Sequence, residues 1–369
     1  VIETARALVD ADIDRSIDFI SFGCEEAGSP GYQYYLWGSR QYIKKHKGDI
    51  GDIACILNCE LAGHSNSNHL VIDCTPDLVS FFETISEDLS KHIKSHNLKA
   101  SIGIAVPTSS QADQLNFSLA GVPSSLFNWA WYDEYHSNID TADRLETSKL
   151  KIFCKLLLLS AYRISTTNKL PLSLTRYARI LKMGHKGISS HLSPDIMEVH
   201  ASGIEHLKRI GGDTVNFDMA LRTLEEFART AAQFEREFAR TDDEGSIARM
   251  NRILLDACSD LNSGLCKSGG VLGEDAMFPG YMEYVEELRK ISEAVNSIAR
   301  VKGSDMPDYV LTEFVPIRSP EISCKEFDVH KELNLLNEKR DKLAQSIQRE
   351  IDRINSIIMA ATKKIERQA

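Results

Sequence analysis

Nowhere do the 369 residues run through 18 consecutive apolar positions, the length a helix needs to cross a bilayer; the largely apolar run Phe153–Ala161 is too short. Excess positive charge is also missing. Against 53 aspartates and glutamates stand 43 lysines and arginines, a net charge of −10, which argues against a nucleic-acid partner because such proteins present a basic face. The eight cysteines (24, 55, 59, 74, 154, 258, 266 and 324) form no C-x-x-C pair and mostly lie in apolar segments. A chain of this length needs no disulfide staples, so buried free thiols are expected, and that usage favours the cytoplasm. No signal peptide is read at the first residues, and nothing about compartment follows from that. What is present, 43% hydrophobic and 26% charged residues, suits a globular chain with room for two domains.

The stretch around which the rest is organised is Ile17–Ser39, IDFISFGCEEAGSPGYQYYLWGS. Its apolar run ends in Glu25 and Glu26, followed by glycines at 28 and 31 and a predicted helix. A short apolar run bounded by glycines suggests a buried strand. The two acids then sit where a strand ends, the edge of an α/β sheet at which ligands bind. Taken alone, a Glu-Glu pair in such a loop is most simply two solvated side chains. Two further stretches shift that balance. Ile53–Gly63, IACILNCELAG, is another apolar strand ending in a carboxylate, Glu60, and Trp131–Thr141, WYDEYHSNIDT, sets His136 in a polar loop. Glu26, Glu60 and His136 are therefore spaced as metal ligands gathered from several βα units would be. Oxygen and nitrogen donors of this kind suit zinc, and a further carboxylate beside a ligand can act as general base.

These residues carry a resemblance. Glu25-Glu26 with Gly38-Ser39, Asn58-Cys59-Glu60 with Gly63, and Tyr135-His136-Ser137 with Asp140-Thr141 resemble, in order and spacing, the motifs of the two-zinc exopeptidase family, which includes the bacterial leucyl-type aminopeptidases and the glutamate carboxypeptidase II group. Ser110–Phe127, SQADQLNFSLAGVPSSLF, is similar to that family's Ser-Asp segment followed by Phe and Gly-Ile-Pro. The resemblance covers about the first 160 residues. It implies Glu25 as general base, Glu26 and His136 as ligands of one Zn2+, Glu60 as ligand of a second, and Tyr135 and Asp140 as residues that orient substrate or His136. At Glu60 the family carries aspartate, one methylene shorter. The resemblance also requires an earlier His-x-Asp and a bridging aspartate in an Asp-Asn-x-Ser-Gly segment, and nothing before residue 25 supplies them. Val1–Leu8 resembles the helix that follows that segment. The expectation is thus an amino-terminally truncated copy with three of five ligands, not expected to hold two metals or to be active by itself.

Along the chain, strands are predicted over Asp14–Phe22, Ile53–Asn58, His69–Asp73, Ser101–Val106 and Val122–Phe127. Helices are predicted over Val1–Val9, Tyr32–His46, Pro76–Ser95 and Asp143–Ser160. The alternation predicts an α/β domain over residues 1–165, its mostly parallel sheet covered by helices on both faces. The rings of Tyr32, Tyr34, Tyr35 and Trp37 read as core or as a pocket wall. His92 and His96, among lysines, read as a solvated helix end, and His64 and His69 as loop or strand-edge side chains.

From about Leu170 the pattern turns almost wholly helical, with Glu205–Lys208, Phe217–Ala239, Ile247–Leu261, Tyr281–Arg300 and Asp328–Arg367 the clearest segments. Residues 166–369 are read as a second, all-helical domain. The last helix carries Leu336, Leu343, Ile347, Ile351, Ile354, Ile358, Ala361 and Ile365, a stripe that needs a partner in a bundle or another subunit. A helical region after the catalytic domain, with Phe278-Pro279-Gly280 within Ser268–Tyr281, resembles the dimerisation domain of the glutamate carboxypeptidase II and transferrin-receptor group, which implies a homodimer. The function implied is a zinc-dependent aminopeptidase acting on peptide substrate. Two alternatives stay open: a carboxypeptidase or other amide hydrolase on the same scaffold, and a non-catalytic binding protein like the transferrin-receptor branch.

Overall fold

The computed structural model describes residues 1–26, 36–106, 108, 112–129, 134–189, 197–211, 215–266, 288–293, 295 and 329–368. A four-stranded sheet is built from β1 (Ile56–Cys59), β2 (His69–Cys74), β3 (Ser101–Ala105) and β4 (Ser124–Trp129), in the order β1-β4-β2-β3. β1 pairs in parallel with β4 and β2 with β3, while β2 and β4 run antiparallel. The sheet is mixed but mostly parallel, as the alternating pattern predicts. Central β4 is buried at every position, and its polar side chains are paired: Ser124 Oγ donates to Val122 O (2.7 Å), Ser125 Oγ to Ile56 O (3.1 Å), and Asn128 Nδ2 to Asp73 Oδ2 (3.4 Å). Buried polar groups are tolerated on such terms.

Around the sheet lie α1 (Ile2–Leu8), α2 (Trp37–Lys45), α3 (Val79–Ser95), α4 (Gln114–Leu119) and α5 (Thr147–Thr166). Helix α3 shows why: Val79, Phe82, Ile85, Leu89 and Ile93 recur at three- and four-residue steps and are all buried, each side chain contributing about 1.5–3 kcal/mol relative to exposure. A smaller cluster of Ile50, Phe117 and Val122, with Phe22 and Tyr42 against it, packs beneath α2 and α4.

The second half contributes α6 (Leu174–Met183), β5 (Gly184–Ser189), β6 (Met197–Ser202), α7 (Ile204–Gly211), α8 (Asp218–Arg240), α9 (Glu244–Cys266) and α10 (Val329–Gln368). Ala220, Leu224, Phe227, Ala231, Phe234 and Phe238 form the buried stripe of α8. Ile347, Ile351, Ile354, Ile358, Ala361 and Ile365 of α10 are buried too. One apolar core runs without a break from the sheet and α3 through α6, α8, α9 and α10. A buried polar network crosses it. The Tyr177 hydroxyl donates to Asn262 Oδ1 (3.0 Å), and Asn262 Nδ2 donates to Asp77 Oδ2 (2.7 Å). The Thr75 hydroxyl and the Cys258 thiol also donate to the Asp77 carboxylate. Burial raises this carboxyl above its ordinary range, and the donors oppose the rise. Gly121, at φ +94°, lets α4 approach α9 so closely that a Cβ there would collide with Ser259.

Three expectations need correction or restriction. Asp14–Phe22 is not a strand: among the described residues the sheet ends at β1, and the segment has no ladder. It is tied instead to the end of α5, where the N–H groups of Asp14 and Arg15 donate to Ser165 O (2.9 and 3.1 Å) and the Arg15 guanidinium donates to the carbonyls of Ile164 and Thr167. The second half is not wholly helical, because β5 and β6 pair antiparallel. Tyr32, Tyr34, Tyr35, the whole of Ser268–Tyr281 and most of Tyr281–Arg300 lie outside the described residues, and α2 begins only at Trp37. Of the cysteines, Cys24, Cys55, Cys59, Cys74, Cys154 and Cys258 are free thiols; Cys74 and Cys258 are buried as expected, whereas Cys24 is exposed.

Candidate functional site

Two loops leave the carboxyl ends of the parallel pair β1 and β4. Just past β1, the N–H of Glu60 donates to Phe127 O of β4 (2.9 Å), which carries the Glu60 side chain to the sheet edge. Leu61 then turns the chain at φ +44°. Past β4 comes the loop with Glu134, Tyr135 and His136. Both loops lie at the carboxyl edge of this parallel pair.

Glu25 and Glu26 reach the same edge from a third direction. The N–H groups of Leu36 and Trp37 donate to Glu25 O (2.8 Å) and Cys24 O (3.1 Å), and both Cys24 and Leu36 adopt left-handed backbone at φ +56° and +64°. These bonds tie the acidic pair to the start of α2. Inside α2 the Ser39 hydroxyl donates to Asp113 Oδ1, and Asn116 Nδ2 donates to Ser39 Oγ (2.8 Å) and Leu36 O (3.2 Å). The position of the glutamates is thereby keyed to α4.

Glu26 Oε1 lies 2.6 Å from His136 Nε2, with both side chains more than half exposed. The Tyr135 ring stacks on the imidazole, centroids 3.8 Å apart and planes at 19°. Glu60 accepts from Asn58 Nδ2 (3.1 Å), which also donates to Gln114 Oε1 (2.9 Å). Burial first, and then the charge of Glu25, lift the Glu60 carboxyl from the ordinary 4.5 to about 7; Asp113 and Glu26 add to the rise and the Asn58 amide opposes it. Glu25 is raised as well, by burial first and then by Glu26 and Asp113, with His136 opposing. Burial raises Asp113, and the Ser39 hydroxyl opposes it. The Tyr135 hydroxyl is pushed up to about 12 by burial and then by Glu26, Glu60 and Glu25. Asp140 lies farther along the same loop, exposed, its N–H donating to Ser137 O (3.3 Å).

Glu25, Glu26, Glu60 and Asp113 thus form one group of interacting carboxyls, with the His136 imidazole against Glu26, an arrangement that a cation would relieve. The donor types suit zinc. In number they fall short: Glu26 and His136 meet, but among the described residues no three His, Cys, Asp or Glu side chains are grouped closely enough to hold an ion.

Residues 1–161 match the model of peptidase family M28. The M28 region contains every residue of the site above and ends within α5. Two solved structures of BSAP, a zinc aminopeptidase from Bacillus subtilis, are similar to the chain at 21% identity, with TM-scores of 0.36 and 0.38; each similarity covers 45% of this chain and 40% of that one. The chain therefore spans less than half the length of the solved structures it matches. No curated protein matches it.

Asp113, Ser39 and Asn116 stand beside the M28 region's candidate site without having been assigned a role from the sequence. The signal lay in the Ser110–Phe127 segment, yet the Ser39–Asp113 bond joins residues 74 apart, and no local pattern reports such a contact.

Proposed function

We propose that the chain is part of a zinc-dependent exopeptidase of the aminopeptidase type. The observation that carries the reading is the meeting of Glu26 and His136 beside Glu25 and Glu60, at the carboxyl edge of β1 and β4, within the M28 region. Glu26 and His136 would hold one zinc and Glu60 a second, in line with the resemblance. A bound zinc supplies Lewis acidity at the scissile carbonyl and lowers the pKa of its water to about 7. Glu25 serves as general base, taking the proton of the attacking water and passing it to the leaving amine. Its partial burial and its acidic neighbours raise its proton affinity, which suits a group that must hold a proton between two steps. The surplus of carboxylates favours capture of a peptide's α-ammonium group over a free carboxylate, and hence aminopeptidase over carboxypeptidase action. We also propose that the helical part forms homodimers, a reading supported by Leu335, which is 51% exposed on α10.

Incubation of the full-length parent protein with zinc and a panel of aminoacyl-anilides and carboxy-terminal peptide substrates tests this. Release of amino-terminal residues is expected, and Glu25→Gln should lower turnover about 10²–10⁴-fold with little change in KM. Normal turnover in that variant refutes the role of Glu25, and release only from carboxyl ends refutes the aminopeptidase assignment. One observation favours a second reading, a binding protein without catalysis: Glu26 and His136 close directly on each other, with no grouped third donor among the described residues. Absence of release from either end, with zinc or without it, selects it.

A further inference from the structure

His136 is exposed, sits at φ +58° and stacks on the Tyr135 ring. Left-handed backbone is unfavourable for a residue with a Cβ, so neighbours must hold this one in place. The anchor lies two residues upstream. Glu134 is 8% exposed, accepts from Asn66 Nδ2 on Oε1 (3.0 Å), and has Oε2 3.8 Å from Nε2 of His64, itself 1% exposed. The backbone N–H of Asn66 donates to His64 Nδ1 (3.2 Å). A ring nitrogen that accepts carries no proton, so a neutral His64 holds its proton on Nε2, facing Glu134. Arg144 Nη1 stands 3.8 Å from Glu134 Oε1.

The bonds continue on both sides of this pair. The Glu134 carbonyl accepts from the N–H (3.1 Å) and the hydroxyl (2.5 Å) of Ser137, closing the turn that contains His136. On the other side, buried Lys149 donates to His64 O (3.2 Å) and Ser65 O (2.5 Å), and the Ser65 N–H donates to Arg144 O (2.8 Å). His64 and Asn66 belong to the loop that begins at Glu60. One buried carboxylate therefore ties the loop of Glu60 to the turn of His136.

We propose that Glu134, held by Asn66, is a positioning residue that fixes the turn presenting His136 to Glu26 and sets it against the loop of Glu60. The inference rests on the reading of Glu26, Glu60 and His136 as metal ligands. Buried partners of this kind orient ligands that are themselves exposed, and their loss typically weakens metal affinity by about 10–100-fold.

The test uses the metal-free full chain and its long-range proton–nitrogen imidazole spectrum, with the His136 signal assigned through His136→Gln. Contact with Glu26 should displace that signal in the wild type. Glu134→Ala should return it to the position of a free imidazole, while Glu134→Gln, which still offers Asn66 an acceptor, should hold it in place. Zinc titration of the same proteins should then show about a 10–100-fold loss for Glu134→Ala. A folded Glu134→Ala chain with the wild-type His136 signal overturns the proposal, even if its melting temperature falls, because a role in stability alone would leave the ring where it is. Should Glu134→Ala not fold, Asn66→Ala takes its place; a shifted His136 signal is expected and an unmoved one overturns the proposal. Equal zinc affinity for His136→Gln and wild type would instead sink the ligand reading, leaving the ring signal to decide the role of Glu134.

Discussion

Replacing Glu60 by glutamine should stabilise the metal-free chain at about pH 8 and leave it unchanged below about pH 4.5. The Glu60 carboxyl sits at about 7 in the folded chain against an ordinary 4.5, chiefly because burial and the charge of Glu25 disfavour its ionised form. Below 4.5 the group is protonated in both folded and unfolded chains and adds no pH dependence. Between 4.5 and 7 the unfolded chain gives up the proton first, so stability falls as pH rises; above 7 the folded state carries the whole penalty. At about 1.4 kcal/mol per tenfold change in proton affinity, that gap amounts to about 3 kcal/mol, and solvent screening of a partly exposed carboxylate reduces it to about 2 kcal/mol. Glutamine keeps an oxygen to accept from Asn58 and lacks the charge. Urea unfolding of both proteins in chelator, at about pH 4.5 and about pH 8, measures the effect. We expect the variant to gain about 2 kcal/mol at the higher pH and a small fraction of that at the lower. Equal stabilities at both pH values would refute the claim that Glu60 is held ionised against its environment.

Three further outcomes are expected. Asp77→Ala leaves Thr75, Asn262 and Cys258 without their acceptor in the core and should cost about 3 kcal/mol or more by urea unfolding, with Asp77→Asn costing less; equal stability for Ala and wild type would remove the network from the account. Among the described cysteines, exposed Cys24 should react first with a thiol reagent, while Cys74 and Cys258, buried and with pKa values raised by burial, should react only in denaturant; mass mapping of the labelled sites decides. Light scattering should report a dimer, and Leu335→Glu a monomer; a monomeric wild type rejects α10 as the contact.

The elements legible in the sequence were those whose own periodicity matched their burial. The stripe of α10 predicts its buried face from Ile347 to Ile365 because the helix turns one line of apolar residues to the core. Glu60 was legible because an apolar run stops at it. Asp14–Phe22 reads as a strand because of its apolar run. A strand also needs a neighbour, and no local pattern supplies one. The pair β5 and β6 escaped because Gly184–Ser189 and Met197–Ser202 are short and mostly polar. His64 and Glu134 looked like loop residues on the same grounds, and only tertiary contact makes them a buried pair.

The helical half does more than follow the sheet in sequence. Arg252 of α9 pairs with Asp52 at 2.7 Å, and the same helix receives α4 at Gly121. At its start α4 has Asp113, which accepts from Ser39 of α2. Backbone bonds from the start of α2 then hold Cys24 and Glu25. An unbroken line of packing and hydrogen bonds thus leads from α9 to the proposed general base. Removing residues 166–369 would strip Asp77 of Asn262 and Cys258 and expose the part of the shared apolar core that the sheet contributes. Such a cut leaves buried polar groups unpaired and core surface wet at once, and the line of contacts that ends at the acidic pair would lose its far end.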